Sequence, residues 1–259
     1  MTIPANELQR LIDGLPGKIG VYVACPEEGL AWGHQAELPL EAASVIKLPI
    51  MVEAFRQREA GKLDFSREIL IREEDKLPSC GALTYLHTGV CVTVEDLVTL
   101  MIILSDNTAT NLLIALLGQE NINDCIDSLG LVGTRLNRML FRPELSRMGI
   151  QNYVTAADMG KVLTGLLRGE IVSPAASAQM LDILRKQRLN GKMPFWLHDR
   201  GIACAHKTGE DDGITHDVGV IMTEPPVVFC FLSNETNVPL AERALQDAAA
   251  LLAGVRLPE

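Results

Sequence analysis

Apolar and polar positions change their spacing twice along this chain of 259 residues, which divides it into three stretches. A short amphipathic segment over 7–12 predicts a helix. Apolar runs over 18–24 and 29–33, with Pro26-Glu27-Glu28 between them, then predict two strands joined by a turn. From residue 44 to about 190 the period is helical. Val45, Ile46, Leu48, Ile50, Met51, Val52, Ala54 and Phe55 form an apolar run that reads as a helix before Gly61 ends it. Pro49 falls inside this helix and removes a backbone donor, so a local distortion is expected there. Thr93-Val94-Glu95-Asp96 reads as a capping box ahead of Leu97, Leu100, Met101 and Leu104. A further helix over 108–117 is closed by Gly118; Thr155 opens another, and Ser173-Pro174 places proline at the first position of one more.

The third stretch returns to strands. Residues 201–206 are small and apolar, 218–222 and 227–232 are strand-like around the turn Glu224-Pro225-Pro226, and 240–253 predicts a final helix. The simplest assembly is an α+β fold, an antiparallel sheet of about five strands covered by the terminal helices, with a helical lobe inserted. The predicted division places 1–43 and 195–259 in a discontinuous α/β lobe and 44–194 in the helical lobe, with a cleft between them.

Three short motifs fall at the edges of these elements: Ser44-Val45-Ile46-Lys47, Ser105-Asp106-Asn107 and Lys207-Thr208-Gly209. Singly, each has a plain structural use. Ser44 could cap a helix while Lys47 snorkels to water, the Ser-Asp-Asn triplet is ordinary cap material, and the third motif could end a surface strand. Their combination describes acyl transfer. A serine hydroxyl needs a neighbouring base to become a nucleophile, and positions three apart share a helix face, so the Lys47 amine falls beside the Ser44 hydroxyl. A lysine serves as that base only when burial or another cation lowers its pKa, and Lys207 could be that cation. A serine at a helix N-terminus also sets a backbone N–H and the positive dipole end near a developing oxyanion. Lys207-Thr208-Gly209 on an edge strand supplies a charge, a hydroxyl and a residue over which substrate can approach the backbone.

An S-x-x-K, then S-D-N, then K-T-G in this order resembles the class A β-lactamases and their relatives among the penicillin-recognising serine hydrolases, over nearly the whole chain. Gly81-Ala82-Leu83, the Met101-Ile102-Ile103-Leu104 lead into Ser105, and Thr108-Ala109-Thr110-Asn111-Leu112-Leu113 add to the likeness. The resemblance implies that Ser44 is acylated, that Lys47 activates it, and that Ser105 relays a proton to the leaving nitrogen. It implies that Asn107 holds the acyl side-chain amide, that Lys207 and Thr208 bind the substrate carboxylate, and that the N–H groups of Ser44 and Glu210 form the oxyanion hole.

Two departures stand out. The family carries a loop with an E-P-x-L-N-like core whose first glutamate activates the deacylating water. Here the stretch is Arg142-Pro143-Glu144-Leu145-Ser146. Glu144 is the sole carboxylate between Arg138 and Thr155, so it would have to serve from a shifted position; otherwise deacylation should be slow. Secondly, Glu210-Asp211-Asp212 follows the K-T-G, and no arginine stands at Thr215-His216-Asp217 on the next strand. If those acids line the cleft, neutral or amine-bearing substrates become plausible.

The expected activity is therefore β-lactam hydrolysis through an acyl-enzyme on Ser44. The alternatives are a D-alanyl carboxypeptidase, esterase or D-peptidase with the same site, and a penicillin-binding protein that stays acylated. A formal charge of −10 argues against nucleic acid and anionic membrane surfaces as partners, leaving a small β-lactam, D-amino-acid peptide or ester as the expected ligand. The five histidines and six cysteines show no metal-ligand spacing, so no metal or cofactor is expected. The first residues lack a basic start and apolar core, which reads as a cytoplasmic protein.

Overall fold

A computed structural model describes residues 2–257. In chain order the elements are α1 (Ala5–Ile12), β1 (Lys18–Cys25), β2 (Leu30–His34), β3 (Leu40–Glu41), α2 (Lys47–Glu59), β4 (Glu68–Leu70), β5 (Cys91–Thr93), α3 (Val94–Ile103), α4 (Asn107–Leu117) and α5 (Gln119–Ser128). There follow α6 (Pro143–Arg147), β6 (Tyr153–Val154), α7 (Ala156–Arg168), α8 (Pro174–Arg185), β7 (Cys204–Asp211), β8 (Ile214–Ile221), β9 (Val227–Asn234) and α9 (Val238–Leu252). A 3₁₀ turn over Ala43–Ile46 leads directly into α2.

The main sheet is antiparallel and five-stranded in the order β2-β1-β9-β8-β7, as the apolar runs predict. Every residue of β8 and β9 is buried, because the sheet is covered on both faces. One core joins α1 and α9 to the sheet through Leu8, Ile12, Val23, Phe229, Phe231 and Leu245. The other joins the helices between residues 47 and 185 to the opposite face through side chains such as Met51, Phe55, Val218 and Val220. Side chains alternate faces along a strand, so Phe229 and Phe231 serve the first core while Val228, Cys230 and Leu232 serve the second.

The caps fall where the sequence places them. Thr93 accepts from Asp96 N while Asp96 accepts from Thr93 N, and Thr155 and Ser173 cap α7 and α8 through Asp158 N and Ala176 N. Pro49 sits in the first turn of α2, where its missing N–H has no helical partner to lose. The predicted strand from residue 201 begins only at Cys204, since Gly201 takes a left-handed conformation that ends the preceding turn. Conversely β8 starts at Ile214, earlier than its apolar stretch, so Thr215, His216 and Asp217 are strand residues facing protein. His216 donates from Nε2 to the Glu41 carbonyl at 2.8 Å and accepts from Ser233 N at 3.0 Å, which ties the entry to the 3₁₀ turn onto the sheet. Burial pushes this imidazole down to about 4, so it holds the joint as a neutral ring.

Candidate active site

Ser44 lies in the 3₁₀ turn, and Ala43 before it has φ +41°, a left-handed value that a residue with a Cβ adopts only under constraint. The turn is clamped on two sides. Ala42 N donates to the Asn152 carbonyl at 2.8 Å, and β7 passes so close that a Cβ on Gly209 would lie 3.1 Å from Val45 Cγ2. Gly209 thus lets the edge strand rest on the turn that carries Ser44.

Ser105 also has a positive φ, +54°, at the break between α3 and α4. Asp106 explains how that break is held. Its buried carboxylate accepts from Ala82 N (2.7 Å) and Leu83 N (2.9 Å) while capping α4 through Ala109 N (2.9 Å). Gly81, at φ +121°, is obligatory here, because a Cβ would sit 2.3 Å from the Asp106 carboxyl group. The resemblance of Gly81-Ala82-Leu83 to a family stretch therefore has a local cause: this loop is pinned to the Ser-Asp-Asn triplet.

The fold brings Ser44, Lys47, Ser105, Asn107 and Lys207 together. Lys47 Nζ lies 2.9 Å from Ser44 Oγ, 2.7 Å from the Ser105 carbonyl, 3.0 Å from Ser105 Oγ and 2.9 Å from Asn107 Oδ1. Asn107 turns its Nδ2 toward the Pro78 carbonyl, leaving Oδ1 as the acceptor. Lys207 Nζ donates to Ser105 Oγ at 3.1 Å and to the Thr208 carbonyl at 2.7 Å. Both lysines are fully buried. Burial first, and then the Lys207 charge, hold the Lys47 amine well below the ordinary lysine range. Burial lowers Lys207 to about 7; the Lys192 cation adds to this and the Asp217 carboxylate opposes it.

A neutral amine has two N–H donors and one lone pair. The Ser105 carbonyl and Asn107 Oδ1 can only accept, so they occupy the two N–H groups of Lys47. The lone pair is left for a hydroxyl proton, from Ser44 or from Ser105. Lys47 therefore stands as a proton carrier between two hydroxyls.

Ser44 and Asn107 open into a cleft of about 510 Å³, lined also by Cys80, Arg138, Arg142, Arg147, Glu210 and Asp211, with Lys47, Ser105 and Lys207 buried behind them. Residues 137–152 form one wall. Asn152 closes its neck by accepting from Asn137 N and Arg138 N at 2.8 and 2.9 Å, and Arg138 latches the loop through Gln151 Oε1, Ser146 Oγ and the Ile150 carbonyl. Glu144 does not line the cleft. It lies on α6 with 54% of its side chain exposed, 3.9 Å from Arg142, a residue that does line the cleft. The shifted-base position considered for Glu144 is thus not occupied.

Of the three acids after the K-T-G, Glu210 and Asp211 border the cleft, whereas Asp212 lines a separate hollow with Lys18 and Glu235. The Glu210 carboxylate reaches Lys192 at 3.1 Å. Lys192, buried beside the K-T-G strand, was invisible as a site residue in the sequence, where it falls in an aperiodic polar segment. Among the described residues no cluster of His, Cys, Asp or Glu could hold a metal ion, and no helix is long and apolar enough to cross a membrane.

Known proteins resemble this chain over nearly its whole length. A sequence model of the β-lactamase enzyme family matches residues 3–255. A β-lactamase of Rhodobacter capsulatus is 25% identical, with 97% of this chain and 88% of that protein aligned. The crystal structure of a β-lactamase from Sphaerobacter thermophilus DSM 20745 is similar with a TM-score of 0.87 at 32% identity, covering 98% of each chain. A PBP-A variant, solved as its acyl-enzyme complex with penicillin G, is similar with a TM-score of 0.86 at 26% identity over 96% of this chain and 94% of that one.

Proposed function

The chain belongs to the β-lactamase enzyme family, and we propose that it opens β-lactams as a serine hydrolase through an acyl-enzyme on Ser44. The observation that carries this reading is the buried Lys47 amine, held well below the ordinary lysine range, 2.9 Å from Ser44 Oγ with the Ser105 carbonyl and Asn107 Oδ1 as its other partners. Lys47 takes the Ser44 proton as Oγ attacks the lactam carbonyl. The carbonyl oxygen becomes an oxyanion facing the N–H groups of Ser44 and Glu210. The proton then passes by Ser105 Oγ, which touches both lysines, to the leaving nitrogen, and the C–N bond breaks. Asn107 orients the acyl amide. Lys207 and Thr208, beside Gly209, take the substrate carboxylate.

Hydrolysis of the resulting ester needs a water and a base. The only carboxylate of the 138–155 segment, Glu144, faces solvent, and Arg142 occupies the wall of the cleft. This favours slow deacylation. It also gives a second reading its ground: a peptidase, esterase or long-lived acyl-protein built on the same acylation machinery.

Intact mass spectrometry with a penicillin, run beside a spectrophotometric turnover assay, tests both. An adduct on Ser44 that decays with turnover fits the hydrolase. A lasting adduct selects the second reading, and no adduct in the presence of excess penicillin refutes acylation by β-lactams.

A further inference from the structure

Lys192 takes no part in the chemistry just described, yet it is a buried cation placed against the backbone of the K-T-G strand. Its Nζ donates to the Gly209 carbonyl at 3.1 Å and reaches the His216 carbonyl at 3.4 Å. Gly209 and His216 stand directly opposite each other on β7 and β8, so the ammonium sits over the ladder between the strands. Two carboxylates hold it there, Glu210 at 3.1 Å and Glu242 at 3.7 Å, and Glu242 is itself fixed by the Thr215 hydroxyl at 3.0 Å.

The Gly209 carbonyl and the Glu210 N–H belong to one peptide group. A trans peptide points its C=O and N–H in opposite directions. The carbonyl that meets Lys192 lies on the β8 side, so the Glu210 N–H is turned off the free edge of the sheet, toward the cleft it shares with Ser44. A cation on the carbonyl draws electron density through the amide and makes the N–H at the other end a stronger donor, as hydrogen bonds in series polarise one another at low dielectric. We infer that Lys192 is a positioning residue of the oxyanion hole, acting through the Gly209–Glu210 peptide.

This rests on the reading of Ser44 and Glu210 as the oxyanion donors, and the test separates the two. Removing one oxyanion-hole donor costs about 10²–10³ in rate. Weakening one without removing it should cost less, roughly tenfold in acylation. Lys192→Met is the first variant. Lys192→Met with Glu242→Gln removes one of the two carboxylate charges left behind, should the single variant fold poorly. Lys192→Arg keeps a donor near the carbonyl.

Two measurements are made on each soluble variant. The first is single-turnover acylation by a penicillin and by a neutral nitrophenyl acyl ester. The second is the infrared band of the ¹³C-labelled ester carbonyl in the penicillin acyl-enzyme. The inference expects Lys192→Met or its double variant to slow both substrates alike, mainly in the acylation rate constant and not in KM, and to move the carbonyl band to higher wavenumber. Lys192→Arg should lie nearer wild type in both. A slowed rate with an unshifted band assigns Lys192 a purely structural role and overturns the inference. A loss confined to the carboxylate-bearing penicillin also overturns it, because Lys192 would then be binding substrate. Failure of wild type to form any adduct overturns the reading of the site itself and this inference with it.

Discussion

Raising the pH through the titration of Lys207 should separate recognition from chemistry in this site. Burial sets the Lys207 amine to about 7 in the free protein, so it is an ammonium below that value and a neutral amine above it. Hydrogen bonds to charged groups contribute about 1.5–3 kcal/mol, which is roughly 10- to 150-fold in a rate or binding constant. For a substrate whose carboxylate rests on Lys207, kcat/KM should therefore fall about tenfold per pH unit above 7, until that contribution is exhausted. The limb belongs to the free enzyme, because kcat/KM reports free-enzyme titrations. Lys47 behaves oppositely. It works as the neutral base, so its limb is an acidic one, and loss of the Lys207 charge raises its pKa and makes its amine easier to protonate. A neutral acyl ester should accordingly show the acidic limb without the alkaline one near 7. Lys207→Met should abolish the difference between the two substrate classes and shift the remaining acidic limb upward. Stopped-flow acylation from pH 5 to 10 with both substrates provides the check. A common alkaline limb for both, or a flat profile for the penicillin from 7 to 9, would refute carboxylate anchoring by Lys207.

Other outcomes follow from the same geometry. Ser44→Ala should abolish covalent labelling with the fold retained, and an adduct mapped elsewhere by peptide mass spectrometry would discard the proposed nucleophile. Lys47→Ala should slow single-turnover acylation by about 10² or more, as loss of a general base does. Glu144→Gln should change the decay of the acyl-enzyme only a few-fold, since its carboxylate faces solvent beside Arg142; a drop of about 10²–10⁴ would show that it serves as the base. Because the folded pKa of Lys207 lies below its unfolded value, the fold is penalised at low pH and recovers stability as pH rises from about 7 toward 10.5. Lys207→Met should stabilise the fold most at pH 6 and least at pH 10, by on the order of a few kcal/mol at the acid end, as denaturant unfolding at the two pH values would show. Gly81→Ala should destabilise by about 2 kcal/mol or more and slow acylation, because a Cβ there would meet the Asp106 carboxyl that holds the Ser105 break.

Much of this site could be read from the sequence because its chemistry depends on residue types at short spacings. Ser44 with Lys47 and the Ser105-Asp106-Asn107 triplet are local, and Thr93, Thr155 and Ser173 announce their helices through side chains that satisfy their own first turns. What stayed hidden depends on tertiary contact. Ala43 and Ser105 adopt left-handed backbone without glycine to signal it, because packing imposes the conformation. The reversal of Glu144 toward solvent follows from the way Arg138 and Asn152 fold the loop, which no periodicity encodes. Lys192 is a polar residue in an aperiodic stretch, and only the meeting of β7, β8 and α9 gives it four oxygens to face. The acids after the K-T-G divide between cleft and neighbouring hollow according to how the hairpin turns after Asp211, which residue types alone do not reveal.

The middle strand of the sheet, β9, is also made after the other four strands that pair in that sheet. Lys18 at the start of β1 finds its partner in Asn234, and β8 likewise needs β9 along its other side. On a ribosome adding about 5–20 residues per second, the β1–β2 hairpin and the segments bearing Ser44, Lys47 and Ser105 exist for many seconds before a complete sheet is possible. Over that interval Lys207 has no buried place from which to bear on Lys47. A nascent or prematurely terminated chain lacking β9 should therefore carry an ordinary, unreactive serine at position 44. Capture of a penicillin then marks synthesis past β9 as well as enzymatic competence, and a ribosome stalled before residue 227 should yield chains that a labelled penicillin does not find.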